Sequence, residues 1–273
     1  MTLKENSKRV IVALIAIPLI LIAVYLGKFF FFGFVVSISL MAYYEFCQLV
    51  KNKNANANLF IGSFFILLLL INQYRHFIDV SVIIIIASLV LLITELFRNK
   101  GSAIINLGST FLGIFYIGIF STTFIALREF YPSINELYIR GAYLVFSVLA
   151  SIWMGDSAAY YGGTALGRHK LFPRVSPKKS WEGAIFGFIF SLLTLILAKL
   201  FVLDFLNWHD GIIIGIIIGI IGQVGDLVES LFKRDSAVKD SSALIPGHGG
   251  FFDRFDSLFF SAPVIWLYLR YLS

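Results

Sequence analysis

The sequence predicts an all-α, polytopic integral membrane protein with about nine transmembrane helices. Three observations carry this prediction. Of 273 residues, 59% are hydrophobic and only 14% are charged, where soluble domains carry roughly a quarter charged residues. The mean hydropathy of +0.88 agrees. Apolar runs of bilayer-crossing length recur along the whole chain, and no long polar segment exists to build a soluble domain. Lysine and arginine gather on alternate connections between those runs, as the positive-inside rule requires.

The first run, 10–26, follows Lys4, Lys8 and Arg9. It is longer than the apolar core of a signal peptide and no polar mature domain follows, so it is read as the first span. The second, 29–50, ends at Lys51 and Lys53, and the Asn-Ala alternation at 54–58 makes a short polar loop. The third, 59–73, is short for a crossing and is expected to be tilted, kinked or partly re-entrant. Runs at 79–97 and 104–127 are separated by Arg98 and Lys100. Spans at 141–163, 183–203, 211–229 and 255–272 complete the set. In the eighth, Gly211, Gly215 and Gly219 recur every four residues, followed by Gly222 and Gly225. That spacing lets helix backbones approach closely in lipid, within the chain or across a dimer. The chain reads as one integral membrane domain, with an N-terminal helical region over residues 1–140 and a C-terminal catalytic region over residues 141–273. Cys47 is the single cysteine, which excludes an intramolecular disulfide.

With the N-terminus in the cytoplasm, the cytoplasmic connections hold 16 of the 22 Lys and Arg residues. Lys28, Arg75, Arg128, Arg140, Lys199 and Arg270 are the remaining six. The formal charge of +6 is thus mainly an orientation signal, and it forms no solvated basic domain suited to nucleic acid. This topology puts the two most charged connections, 167–183 and 229–256, on the cytoplasmic face, together with Asp156 at the end of the sixth span.

Charge this dense beside apolar helices marks a working site. Asp226 closes the eighth span and Asp253 opens the ninth, an arrangement suited to Mg²⁺, which takes oxygen ligands and shares them with substrate phosphates. Asp256 lies one helical turn beyond Asp253, and Asp156 is a further candidate. Each acid also has a plain structural reading: Asp253 as a helix cap, Asp256 as a partner of Arg254 or Lys233. Lys233, Arg234, Lys239 and Arg254, with Lys178 and Lys179 from the other connection, suit phosphate oxygens, and Asp240 sits among them. In Pro246-Gly247-His248-Gly249-Gly250, glycines let backbone N–H groups converge on an anion, while His248 offers a proton donor or a simple turn residue. Ser180 with Glu182 reads equally as a helix start. A transporter would place such groups near the midplane, often in broken helices. Here they gather at one interface, which favours an enzyme acting on a phosphorylated lipid with a cytoplasmic nucleotide. No Walker-type or dinucleotide-binding glycine motif is present.

The run Ser230, Phe232-Lys233-Arg234, Lys239-Asp240, Ser242, Ile245 through Gly250, and Asp253-Arg254-Phe255-Asp256 resembles the signature of the phosphatidate cytidylyltransferases, or CDP-diacylglycerol synthases. Residues 155–160, 176–183 and 225–230 are also similar to that family, so the specific likeness covers about residues 150 to 260. Ser180 stands where the family often has threonine, which keeps the hydroxyl, and Glu45 matches as an acid at the cytoplasmic end of the second span. The resemblance implies a polytopic, dimeric, Mg²⁺-dependent enzyme that joins CTP to phosphatidate. Its paired metal-binding aspartates map onto Asp226 and Asp253, with K⁺ as an accompanying ion. An enzyme using CTP on an isoprenoid lipid and a polytopic transporter are the alternative readings.

Overall fold

In lipid every backbone N–H and C=O must be satisfied internally, so each apolar run is committed to helix. The computed structural model describes residues 3–134, 137–245 and 249–273, and every predicted apolar range coincides with a helical segment. In chain order these are α1 (Leu3–Leu26), α2 (Lys28–Lys51), α3 (Leu59–Arg75) and α4 (Val80–Arg98). Next come α5 (Ala103–Gly113) and α6 (Phe120–Arg128), joined through a π-helical stretch, Ile114–Ile119. They are followed by α7 (Leu137–Leu166), α8 (Trp181–Phe201), α9 (Trp208–Ile217), α10 (Gln223–Asp235) and α11 (Phe252–Tyr271). A second π-helical stretch, Ile218–Gly222, joins α9 to α10.

Among the described residues, six segments are long and apolar enough to cross a membrane: Lys28–Lys51, Val80–Arg98, Ala103–Arg128, Leu137–Leu166, Trp181–Phe201 and Trp208–Asp235. The chain is therefore an all-α, multi-pass membrane protein. Val12–Leu26 and Leu59–Arg75 are shorter apolar helices. At 17 residues, α3 is about 26 Å long, a little under the hydrocarbon thickness, in keeping with the short third run in the sequence.

The chain forms two compact units: Met1–Ala126 with Phe232–Arg254, and Leu127–Leu231 with Phe255–Ser273. In the first, α2, α3 and the π-helical stretch at 114–119 pack together. Phe46 and Tyr116 form an edge-to-face cluster with Phe232 and Phe252, with ring centroids 5.7 to 6.3 Å apart. The polar loop at 54–58 is tied down by buried Asn106, whose Oδ1 accepts from Asn56 N at 2.6 Å while its Nδ2 donates to Glu95. Arg98 pairs with Glu95 and also donates to the Asn56 carbonyl.

In the second unit, α7 and α8 lie against each other along their length. Ser151 and Ser191 exchange hydroxyl-to-carbonyl hydrogen bonds across this contact, at 2.8 and 3.1 Å. The backbones come so close at Gly155 that a Cβ there would stand 2.1 Å from Ser191 Oγ. The glycine stripe of the eighth span is spent within this unit: Cβ atoms on Gly215 and Gly219 would meet Leu192 and Phe188 of α8 at 2.9 and 2.8 Å.

Two local features depart from the sequence reading. The connection after α7 is a small antiparallel hairpin of β1 (Lys170–Phe172) and β2 (Ser176–Ser180). Glu182 holds it, accepting from the backbone N–H groups of Arg168 and His169 and meeting His169 Nδ1 at 2.6 Å. So short and charged a hairpin has no apolar alternation to announce it. The charged residues 229–235, expected in a loop, instead continue α10 to Asp235, because their apolar and charged side chains segregate onto opposite helix faces.

Gly155→Leu is expected to destabilise the protein by about 1–3 kcal/mol through overpacking, whereas Ser151→Ala removes one hydrogen bond for about 1 kcal/mol. Thermal unfolding in detergent, followed by circular dichroism, should rank the two in that order.

Candidate active site

In the second unit, three carboxylates converge. Asp226 and Glu229 lie one turn apart on α10, and Asp256 comes from the first turns of α11. Ligand oxygens of all three lie within 4.8 Å of one another. Gly225 makes this possible, since a Cβ on it would stand 2.7 Å from the Asp256 carbonyl and would push α11 away from α10. Glu229 is fully buried, while Asp226 is half-buried and pairs with Lys179 at 2.5 Å. The Ser230 hydroxyl reaches Asp226 Oδ1 at 3.5 Å, the outer limit of a hydrogen bond. The π-helical turn at 218–222 ends immediately before this acidic stretch, a position where such turns often adjust side-chain register.

Lys179 is delivered by β2, whose last residue, Ser180, caps α8 by accepting from Gly183 N at 3.2 Å. Ser180 and Glu182 thus start a helix, as one reading of the sequence allowed, and in doing so they aim the lysine. Lys178, beside it, is exposed. Asp156 on α7 lines a small pocket with Ile152, Ser191, Ile218, Gln223 and Ser257. Gln223 is held there by its own side-chain amide, which donates to the Gly219 and Ala184 carbonyls.

In the first unit, Asp253 is the centre of a second constellation. Its Oδ1 takes a 2.6 Å ion pair from Lys233, and both side chains are largely buried, at 4% and 12% exposed respectively. Its Oδ2 accepts from Ser241 N, the Ser241 hydroxyl and Gly250 N, at 2.8 to 2.9 Å. Gly249 has a φ of +82°, and a Cβ on it would stand 2.6 Å from Asp253 Oδ2. Glycine is therefore required there on two counts. Arg234 donates to the Val238 carbonyl and is exposed, as are Lys239, Asp240 and Arg254.

The structure thus brings together Asp226, Asp256 and Lys179 in one unit, and Asp253, Lys233, Gly249 and Gly250 in the other. Gly247 and His248 lie outside the described residues. The reading of Asp253 as no more than a helix cap is too narrow, since it collects a lysine and three further donors. Glu229 had no ligand role in the sequence reading, although its spacing from Asp226 was the available signal. Ser241, which donates to Asp253 through its backbone N–H and also carries a hydroxyl beside it, has no distinguishing signal in the sequence.

The carboxylate cluster offers only hard oxygen donors, with no histidine or cysteine among the three residues. Three acids at this separation repel one another in a low-dielectric site, so the arrangement favours a small multivalent cation. That donor chemistry fits Mg²⁺.

The profile of the cytidylyltransferase family matches residues 7–272. The chain is 42% identical over 173 residues to a phosphatidate cytidylyltransferase of Staphylococcus haemolyticus, covering 63% of this chain and 62% of that protein. It is 31% identical over 287 residues to the phosphatidate cytidylyltransferase of Synechocystis sp., covering 96% of each. A further similar protein, the phosphatidate cytidylyltransferase of Bacillus subtilis, is 31% identical over 274 residues, covering 98% of this chain and 99% of that one.

The two lysine–aspartate pairs should respond differently to mutation. Lys233→Met strands a largely buried carboxylate and is expected to lower stability by about 3 kcal/mol. Lys179→Met breaks a pair exposed by 27% and 35%, which is worth at most about 1 kcal/mol. Equilibrium unfolding in mixed micelles should show the larger shift for Lys233→Met, and equal shifts would overturn this contrast.

Proposed function

Because the chain belongs to the cytidylyltransferase family, we propose that it acts as a phosphatidate cytidylyltransferase, converting CTP and phosphatidate to CDP-diacylglycerol and pyrophosphate. The observation that carries this reading is the Asp226–Glu229–Asp256 cluster with Lys179 at its edge, in a chain similar from end to end to enzymes of that name. The protein crosses the cytoplasmic (inner) membrane about nine times as a homodimer, with the site facing the cytoplasm. The cytoplasmic excess of lysine and arginine supports that orientation. The homodimer rests on the family resemblance.

A phosphate oxygen of phosphatidate attacks the α-phosphorus of CTP. The new P–O bond forms as the bond to the β-phosphate oxygen breaks, and pyrophosphate leaves in line. The nucleophile is already anionic, so the reaction needs alignment and charge neutralisation more than a strong base. Mg²⁺, when bound, offsets charge on the phosphate oxygens. Asp226, with Glu229 and Asp256 beside it, would hold that ion. Asp253 is the second ligand implied by the resemblance, and K⁺ the accompanying ion. Lys233, Arg234, Lys239 and Arg254 neutralise phosphate oxygens, with Lys178 and Lys179 contributing from the hairpin. Asp156, Asp240 and Asp256, with Gly247, His248, Gly249 and Gly250 of the signature, are the residues assigned to substrate binding. The acyl chains stay in the leaflet while CTP enters from water.

Purified protein in phosphatidate-containing micelles with Mg²⁺ should release pyrophosphate only when CTP and phosphatidate are both present. Asp226→Asn and Asp253→Asn should each lower turnover by at least about a hundredfold. A folded wild-type protein that releases none, with CTP or any other nucleotide, would refute the assignment.

A further inference from the structure

We infer that Glu45, almost two hundred residues upstream of the signature, is the positioning residue that sets the Asp253–Lys233 pair in place. As a role in catalysis this rests on the cytidylyltransferase reading; as geometry it stands alone. Glu45 lies near the end of α2, a helix otherwise made mostly of apolar residues, and has no exposed surface. A carboxylate there is strongly disfavoured unless donors meet its lone pairs.

The carboxylate is met by four donors, all from the signature segment. Oε1 accepts from the Ser242 hydroxyl at 2.6 Å and from Phe251 N at 3.0 Å. Oε2 accepts from Phe252 N at 2.8 Å, with the Ser241 hydroxyl at 3.0 Å. The N–H groups of Phe251 and Phe252 are at the start of α11, where the first turn has no intrahelical acceptors. Glu45 therefore caps α11 from another helix, with its negative charge at the positive end of the helix dipole.

Asp253 lies immediately beyond this cap. The Ser241 hydroxyl stands between the two carboxylates, 3.0 Å from Glu45 Oε2 and 2.8 Å from Asp253 Oδ2, with one proton to share. A Cβ on Gly250 would lie 2.3 Å from Glu45 Oε2 and 2.1 Å from Ser241 Oγ, so only glycine leaves room for both groups. Phe46, next to Glu45, packs edge-on against Phe232 and Phe252, the neighbours of Lys233 and Asp253. Glu45 thus fixes where α11 begins, the start of α11 aims Asp253, and Asp253 holds Lys233. Glu45 acts through these residues and takes no part in the bond changes.

The test uses the full chain with Glu45→Gln, Glu45→Asp and Ser242→Ala, read by amide hydrogen exchange across residues 241–253 and by kcat and KM for CTP. Glu45→Gln keeps the shape but turns an amide N–H₂ toward donors. It should speed exchange at Phe251, Phe252 and their neighbours and lower kcat about a hundredfold, the loss expected for a displacement near 1 Å, with a smaller change in KM. Glu45→Asp should recover part of the rate, and Ser242→Ala should lose only a few-fold. Unchanged exchange in Glu45→Gln would show that Glu45 does not hold the segment. Faster exchange with kcat and KM both intact would reduce it to a structural residue. If Glu45→Gln does not fold, faster exchange and a reduced kcat in Ser242→Ala support the proposal, and wild-type values of either refute it. A wild-type protein inactive with CTP and phosphatidate would overturn the reaction alone, because the exchange experiment still decides the anchoring geometry.

Discussion

A carboxylate placed among apolar helices must be matched by donors or by a cation, and within each unit the acids are organised by how they meet that demand. Glu45 and Asp253 are met by the protein itself, through serine hydroxyls, backbone N–H groups at the start of α11, and Lys233. Those acids anchor the start of α11 and the Lys233 ammonium. Asp226, Glu229 and Asp256 are arranged differently, with oxygens of all three gathered within 4.8 Å of one another and Lys179 at the edge. Mutual repulsion makes that grouping unfavourable by itself and favourable around a divalent ion. The contrast is between acids anchored among hydrogen-bond donors and acids gathered against one another.

Close approach of backbones is the second requirement, and small residues supply it. In lipid there is little hydrophobic drive between helices, so packing and hydrogen bonds must hold them. The Ser151–Ser191 exchange and the contact at Gly155 hold α7 to α8. Gly225 then admits the α11 backbone beside Asp226 and Glu229, and Gly250 admits the Glu45 carboxylate and the Ser241 hydroxyl. Larger side chains at these points would move the acids by more than a hydrogen bond tolerates.

Much of this was legible in the sequence, for specific reasons. Apolar length alone located each helical segment, because in a membrane the backbone has few alternatives. Charge placed beside apolar helices singled out Asp226, Asp256 and Asp253, and the fold sets the first two with Glu229 in one unit and the third against Lys233 in the other. The hairpin at 170–180 was not legible, since it is held by Glu182 reaching back to Arg168 and His169 rather than by an alternating pattern. The extension of α10 to Asp235 was hidden by its charge, which the sequence reading took for a loop. Glu45 was visible as an acid at the end of an apolar helix, but its partners lie about two hundred residues away. Only the fold pairs it with Ser241, Ser242 and the start of α11.

Asp226, Glu229 and Asp256, gathered within 4.8 Å of one another, have the donor set of a divalent-cation site. The most direct measurement is Mn²⁺ titration followed by electron paramagnetic resonance, on wild-type protein and on Glu229→Gln in the same micelles without nucleotide. Wild-type protein should show a saturable Mn²⁺ site that Mg²⁺ displaces, weakened at least about tenfold in the variant. Equal Mn²⁺ affinity in the two proteins would contradict this assignment.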